Sequence, residues 1–286
     1  MAICDVCFRH CDIPEGAKGF CGVRSCVDGR IVPLNYGRIT SMALDPIEKK
    51  PLNRFHPGSR ILSIGSYGCN LRCPFCQNDE ISWSDRAYAY EKEAEVCTPE
   101  EIAATAAYYR KDGNIGVAFT YNEPLIGYEF ILDTAKLVRE KGMLNVIVTN
   151  GTAEVGVLEK LAPYIDAMNI DLKGFSDSYY TDVLGGSLDM VKAFIERAVQ
   201  VCHVELTTLI VPGENDSEEE MRAISSYIAG LKNEKGEVIG ADVPLHISRF
   251  FPQFHMTDRR ATDVKLIYHL ADVAGEKLNY VYEGNC

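Results

Sequence analysis

Cys69, Cys73 and Cys76 stand at C-x3-C-x2-C spacing in the stretch Cys69-Asn70-Leu71-Arg72-Cys73-Pro74-Phe75-Cys76. Three thiolates on one loop can hold three irons of a [4Fe-4S] cluster, for which four cysteines are the usual ligand set. A missing fourth protein ligand leaves one iron open. An open coordination position is where chemistry takes place, as it is at catalytic zinc with three protein ligands. The alternatives are a zinc site completed from elsewhere in the chain and three structural thiols. Zinc loops favour a C-x2-C pair followed by a second pair, whereas the next cysteine after Cys76 is Cys97. The spacing therefore points to the cluster.

A second set of soft ligands crowds residues 1–27, where Cys4, Cys7, Cys11 and Cys21 lie in a Gly-rich stretch too small to fold on a core of its own. Three readings stay open for it: a structural zinc knuckle, a second iron–sulfur cluster, or free thiols. Cys26 is left over.

These ligands need rigid elements to place them. Short β-type runs occur at 61–64, 115–119, 144–148, 167–170, 204–210 and 243–247. Helical stretches with caps lie between several of them. Thr98-Pro99-Glu100-Glu101 reads as a capping box with Pro at the first helical position. Apolar residues at helical spacing run from Ile126 to Val138, and Gly142 closes that helix. Ser217 and Glu220 cap another helix, and Thr262 is expected to start the last. Strands that each lead into a helix imply an α/β fold with a parallel sheet. Residues 28–59 read as a connector in which 31–34 and 39–43 form a hairpin about Tyr36-Gly37. The segment Asp45–Leu52 holds two prolines that forbid a regular element, and it is placed to cover the site. The domain reading is thus residues 1–27 as a metal-binding-like segment, 28–59 as the connector and 60–286 as the α/β barrel.

Parallel barrels place functional residues at the carboxyl ends of strands. The first strand ends at the cysteine loop. The next three run into Thr120-Tyr121-Asn122-Glu123-Pro124, Thr149-Asn150 and Asp171-Leu172-Lys173. The fifth carries Glu205 and Thr207, and the sixth His246. Several polar strand ends together indicate a pocket.

The C-x3-C-x2-C motif with Phe75 before its last cysteine resembles the signature of radical S-adenosylmethionine (SAM) enzymes. Across Asp45–Leu52, Cys69–Asn78, Thr120–Pro124, Asp171–Gly174, Pro244–Phe250 and Tyr280–Asn285 the chain resembles the enzymes of the AmmeMemoRadiSam system, relatives of pyruvate formate-lyase activating enzymes. The resemblance implies the partial (β/α)6 TIM-type barrel of that superfamily. It implies that Cys69, Cys73 and Cys76 hold the cluster, whose open iron binds the methionine part of SAM. Reductive cleavage then yields methionine and a 5′-deoxyadenosyl radical that takes hydrogen from a substrate. It further implies that Thr120, Tyr121, Asn122 and Glu123 form the loop that meets the methionine amino group, with Tyr121 against adenine or substrate. Asp171 and Lys173 fall near the methionine carboxylate, where Asp171 needs either Lys173 or a monovalent cation beside it. Thr149 and Asn150 complete that position. His246 is expected at the ribose or adenine, with a hydrogen-bonded core histidine as the alternative; Glu205 and Thr207 are further ribose candidates. The implied partners are a protein substrate, an electron donor such as flavodoxin or ferredoxin, and Memo-type and AMMECR1-type proteins.

The formal charge of −12 argues against nucleic acid or an anionic membrane as partner. Eleven cysteines without a leader-like stretch suggest a reducing, cytoplasmic setting, where thiols ligate metals rather than pair. The competing class is an iron–sulfur electron carrier or a zinc-stapled binding scaffold that does not cleave SAM.

Overall fold

The computed structural model describes Met1–Cys286. One sheet organises it. Its strands are β1 (Ser41–Pro46), β2 (Arg60–Gly65), β3 (Asn114–Phe119), β4 (Leu144–Thr149), β5 (Ala167–Asp171), β6 (His203–Ile210), β7 (Leu245–Arg249) and β8 (Val281–Gly284). Sequence order and spatial order coincide, from β1 at one edge to β8 at the other. Every pairing is parallel except β1 with β2. The two edge strands do not pair with each other, so the barrel is open along one seam.

The apolar runs become central strands because helices cover them. Val117, Ala118, Val146, Ile147, Ala167 and Met168 are buried at successive positions, as in a parallel sheet packed on both faces. The principal helices are α1 (Asp85–Glu93), α2 (Pro99–Tyr108), α3 (Tyr128–Glu140), α4 (Val155–Leu161), α5 (Leu188–Val201), α6 (Glu218–Ala229) and α7 (Val264–Gly275). α5 shows how the 3.6-residue period is used: Val191, Phe194, Ile195 and Ala198 turn inward together. The Thr98 capping box forms as expected, with the Thr98 side chain accepting from the Glu101 N–H and Glu101 accepting from the Thr98 N–H. Ser217 caps α6 through the Glu220 N–H.

Three local expectations are corrected. Residues 31–34 and 39–43 do not form a hairpin. Arg24–Val27 pairs instead with Arg30–Pro33 about Asp28-Gly29, both at positive φ (51° and 71°). Asp-Gly at positive φ is the favoured two-residue hairpin turn, a stronger signal than Tyr36-Gly37. Second, Asp45 and Pro46 end the edge strand β1, and Ile47–Lys49 make a 3-10 turn, so this stretch is regular in part. An edge strand tolerates proline because one side of its backbone is unpaired. Third, Asp263 rather than Thr262 caps α7, accepting from the Lys265 N–H. Thr262 is buried and donates its hydroxyl to the Ile210 carbonyl at 2.6 Å. No helix is long and apolar enough to cross a membrane.

Candidate radical SAM active site

The carboxyl ends of the strands surround a cavity of about 610 Å³. That volume lies in the usual range for a small-molecule site. Cys69, Cys73, Phe75 and Cys76 line it, with Thr120, Tyr121, Asn122, Glu123, Thr149, Asn150, Asp171, Lys173, Thr207 and His246. Residues far apart in sequence are thus brought to one chamber by the parallel register.

The cysteine loop leaves β2 through Gly68. Gly68 has φ +93°, and a Cβ there would come within 2.6 Å of the Val23 side chain. Only glycine meets both demands. The loop is gripped from outside. The Arg72 N–H donates to the Leu184 carbonyl (2.8 Å), at the end of a π-helical turn over Tyr179–Leu184. The Arg72 guanidinium donates to the carbonyls of Cys69 (2.9 Å) and Leu71 (2.8 Å). The His255 N–H donates to the Pro74 carbonyl at 2.8 Å. Phe75 packs edge-on against Phe250 at 6.1 Å and walls the loop from the core.

Burial pushes the thiols of Cys69, Cys73 and Cys76 up, that of Cys73 to about 11. Without a metal they keep their protons, and metal binding must displace them. No three Cys, His, Asp or Glu side chains stand close enough together to share a single ion. A cube asks for something else, since each thiolate takes its own iron. The donor set fits: three sulfurs face one large chamber, and two N–H donors are aimed at Cys69. These are the Leu71 N–H (3.4 Å) and the Asn150 side-chain amide (3.8 Å).

Glu123 is buried under three donors: the Leu125 N–H (3.0 Å), the Asn150 N–H (2.7 Å) and the Thr149 hydroxyl (2.7 Å). Burial raises its carboxyl to about 7 despite those hydrogen bonds. This clasp ties the end of β3 to the end of β4. Asn150 also donates to the Asn70 side chain at 2.9 Å, joining the clasp to the cysteine loop. Lys173 pairs with Asp171 at 2.7 Å, both only partly accessible. Burial opposes the charge on Lys173, but Asp171 and the nearby Cys73 hold its ammonium well above the usual lysine range. Lys173 thus neutralises Asp171.

Glu205 lies outside the cavity lining. Its side chain is fully buried, and its oxygens accept from the N–H groups of Asn53 (2.9 Å) and Arg54 (2.7 Å) and bond His203 (2.9 Å) and His246 (2.7 Å). With two partners on each oxygen its acceptor positions are full, whereas one position on Glu123 stays free, so Glu205 has nothing to offer a ribose. Burial opposes ionisation, yet these hydrogen bonds hold Glu205 at about 2. His246 lines the cavity with its ring stacked on Tyr282 at 5.2 Å. Thr207 bonds the Asn169 side chain, which in turn donates to the Pro51 carbonyl.

The segment Asp45–Leu52 does reach the site: Glu48, Lys49, Lys50 and Pro51 line the cavity. Lys50 is buried and pairs with Asp45 at 2.9 Å. Tyr121, at φ +75°, donates its hydroxyl to the same Asp45 (2.7 Å) and offers its ring to the Lys50 ammonium. Sequence reading named the segment but not this trio. It gave no role to Ser248, Glu283 and Asn285, which line the cavity.

Residues 63–223 match the family described as the radical SAM superfamily. The chain belongs to the radical SAM superfamily. An uncharacterized protein of Methanocaldococcus jannaschii is 39% identical over 284 residues, covering 99% of this chain and 80% of that protein. The pyruvate formate-lyase-activating enzyme of Clostridium pasteurianum is 31% identical over 188 residues, 64% of this chain and 75% of that enzyme. Among solved structures, Streptococcus suis SuiB bound to S-adenosylmethionine aligns over 77% of this chain and 48% of that chain, with a TM-score of 0.57 at 14% identity. That likeness concerns the fold. Membership in the superfamily carries with it a [4Fe-4S] cluster, SAM and SAM-dependent radical chemistry.

Proposed function

We propose that this radical SAM enzyme cleaves SAM reductively and directs the resulting radical at a hydrogen of a protein substrate, in the manner of an activating enzyme. The observation that carries the reading is the convergence of Cys69, Cys73 and Cys76, the Glu123 clasp and the Asp171–Lys173 pair on one chamber. An iron–sulfur carrier or a zinc-stapled scaffold has no use for such a chamber.

In this proposal Cys69, Cys73 and Cys76 hold the cluster, which supplies the electron for SAM cleavage when bound. Glu123 and the carbonyls of Thr120, Tyr121 and Asn122 receive the methionine ammonium. Lys173, held in place by Asp171, meets the methionine carboxylate, and Thr149 and Asn150 complete that end. His246 and Thr207 face the nucleoside, while Glu205 fixes the His246 ring. Tyr121, Lys50 and Asp45 hold the covering segment over the chamber and exclude water. The four N-terminal thiols form a second metal site.

A protein substrate is supported by the 31% identity to an enzyme whose name describes activation of pyruvate formate-lyase. The open seam of the barrel gives a protein segment a way in. Flavodoxin or ferredoxin is the proposed electron donor. The motif set Asp45–Leu52, Thr120–Pro124 and Tyr280–Asn285 supports an AmmeMemoRadiSam-type assignment, with Memo-type and AMMECR1-type proteins as partners. The test is co-purification under anaerobic conditions followed by reaction with deuterated partner proteins. Deuterium appearing in 5′-deoxyadenosine names the substrate; none from any protein partner, with SAM still cleaved, would move the proposal to a small molecule.

A further inference from the structure

The N-terminal cysteines do not remain scattered. Cys4, Cys7, Cys11 and Cys21 line one small void together with Arg9 and Arg24. Backbone pairing builds it. Ala2–Ile3 pairs with Asp12–Ile13, and the Cys4 N–H donates to the Cys11 carbonyl at 2.9 Å. Two tight turns follow the same plan. The His10 N–H returns to the Cys7 carbonyl, and the Gly22 N–H returns to the Gly19 carbonyl. Each turn aims N–H groups at a sulfur: that of Arg9 at Cys7, and those of Val23 and Arg24 at Cys21.

A second observation is independent of the cysteines. Arg24 is buried, and its Nε has no hydrogen-bond partner, although Nη1 pairs with Glu129 at 2.7 Å. A buried donor left unpaired is costly. Arg24 lines the void beside Cys4, so a thiolate there gives the donor its acceptor.

Size decides which metal group fits. The void measures about 10 Å³, against about 610 Å³ for the chamber at Cys69, Cys73 and Cys76. About 10 Å³ is room for one water-sized body, and a cube of four irons and four sulfides is far larger. We propose that Cys4, Cys7, Cys11 and Cys21 bind one tetrahedral zinc ion. Four soft ligands in a closed, mostly buried site with no access for substrate are the pattern of structural zinc. As they stand, no three of the sulfurs are close enough to share an ion, so the thiols must lose their protons and turn inward on binding.

The site backs onto the cysteine loop of the active site. The Arg9 Nε donates to the Asn70 carbonyl at 2.8 Å, and Cys7 meets the Asn70 side chain. Cys7 also bridges to Ala153, just past Asn150. The ion would therefore brace the loop that follows Cys69 and the turn that follows β4.

The inference deepens the second-metal-site reading and is tested separately from the catalytic one by counting metals in the full chain. Purified wild type, reconstituted with iron and sulfide, is expected to hold about four irons and about one zinc. Cys7→Ser and Cys21→Ser should lose the zinc and keep most of the iron. Cys26→Ser should keep both, because Cys26 lies off the void with its thiol on Glu15. Cobalt in place of zinc should give the intense visible bands of a tetrahedral thiolate site. Iron well above four with no zinc, zinc retained in both variants, or cobalt with only weak octahedral bands would each overturn the proposal. The wild-type count needs no variant to fold. Zinc present with no iron bound would sink the catalytic reading and leave this one standing.

Discussion

Replacing Glu205 by Gln tests whether the buried carboxylate is what joins the covering segment to the sheet. The carboxylate accepts two backbone N–H groups, of Asn53 and Arg54, and bonds His203 and His246. Glutamine turns one acceptor oxygen into a donor, which then faces groups that also donate. Losing charge-assisted hydrogen bonds from a buried site costs about 1.5–3 kcal/mol each. A second route gives a similar size. Holding the carboxyl at about 2 rather than its ordinary 4.5 corresponds to about 3 kcal/mol at neutral pH. Taking about 3–4 kcal/mol, and an unfolding entropy near 0.6 kcal/mol/K for a chain this long, Tm falls by roughly 5–7 °C. The pH dependence has a definite sign. A depressed carboxyl contributes its full stability above 4.5 and loses it as pH falls toward 2, so the wild-type advantage narrows below pH 4.5. Calorimetry of both proteins at pH 7 and pH 4 checks this. A Tm change under about 1 °C at pH 7, or a gap that widens on acidification, would refute the buried-acceptor reasoning.

Lys173→Ala is expected to weaken SAM binding roughly 10- to 100-fold, the loss of one charge-assisted contact, with iron content unchanged; equilibrium dialysis with labelled SAM reads it. Glu123 is neutral below about 7 and ionised above, so SAM affinity should rise with pH across neutrality and flatten in Glu123→Gln. A wild-type profile as flat as the variant's would remove Glu123 from the ammonium site. Thr98→Ala removes the cap of α2 and should cost about 1 kcal/mol, seen as a small drop in Tm with SAM cleavage intact.

Much of the site was legible because strand ends in a parallel sheet announce themselves. Apolar runs closed by Thr-Tyr-Asn-Glu-Pro or Asp-Leu-Lys put polar groups at one rim, and the structure gathers them into one chamber. What sequence hid are contacts set by register between distant segments. His203 and Glu205 share one face of β6 by the two-residue period, a readable signal. That Glu205 also meets His246 depends on β7 pairing Thr207 with His246. That it caps the N–H groups of Asn53 and Arg54 depends on where the covering segment lands. The Asp45–Lys50–Tyr121 trio is of the same kind, since Asp45 and Tyr121 lie on separate elements. The expected strand at 39–43 overlaps β1, but the end of β1 escaped because Asp45-Pro46 reads as a breaker until its edge position is known. β8 is short and half-exposed, without an apolar run to mark it.

The most direct test of the account is a single turnover assay. Anaerobically reconstituted protein is mixed with SAM and dithionite, and 5′-deoxyadenosine is measured by chromatography. Wild type should form it, and Cys73→Ala should not. A wild type that carries an intact [4Fe-4S] cluster yet yields no 5′-deoxyadenosine would contradict the account.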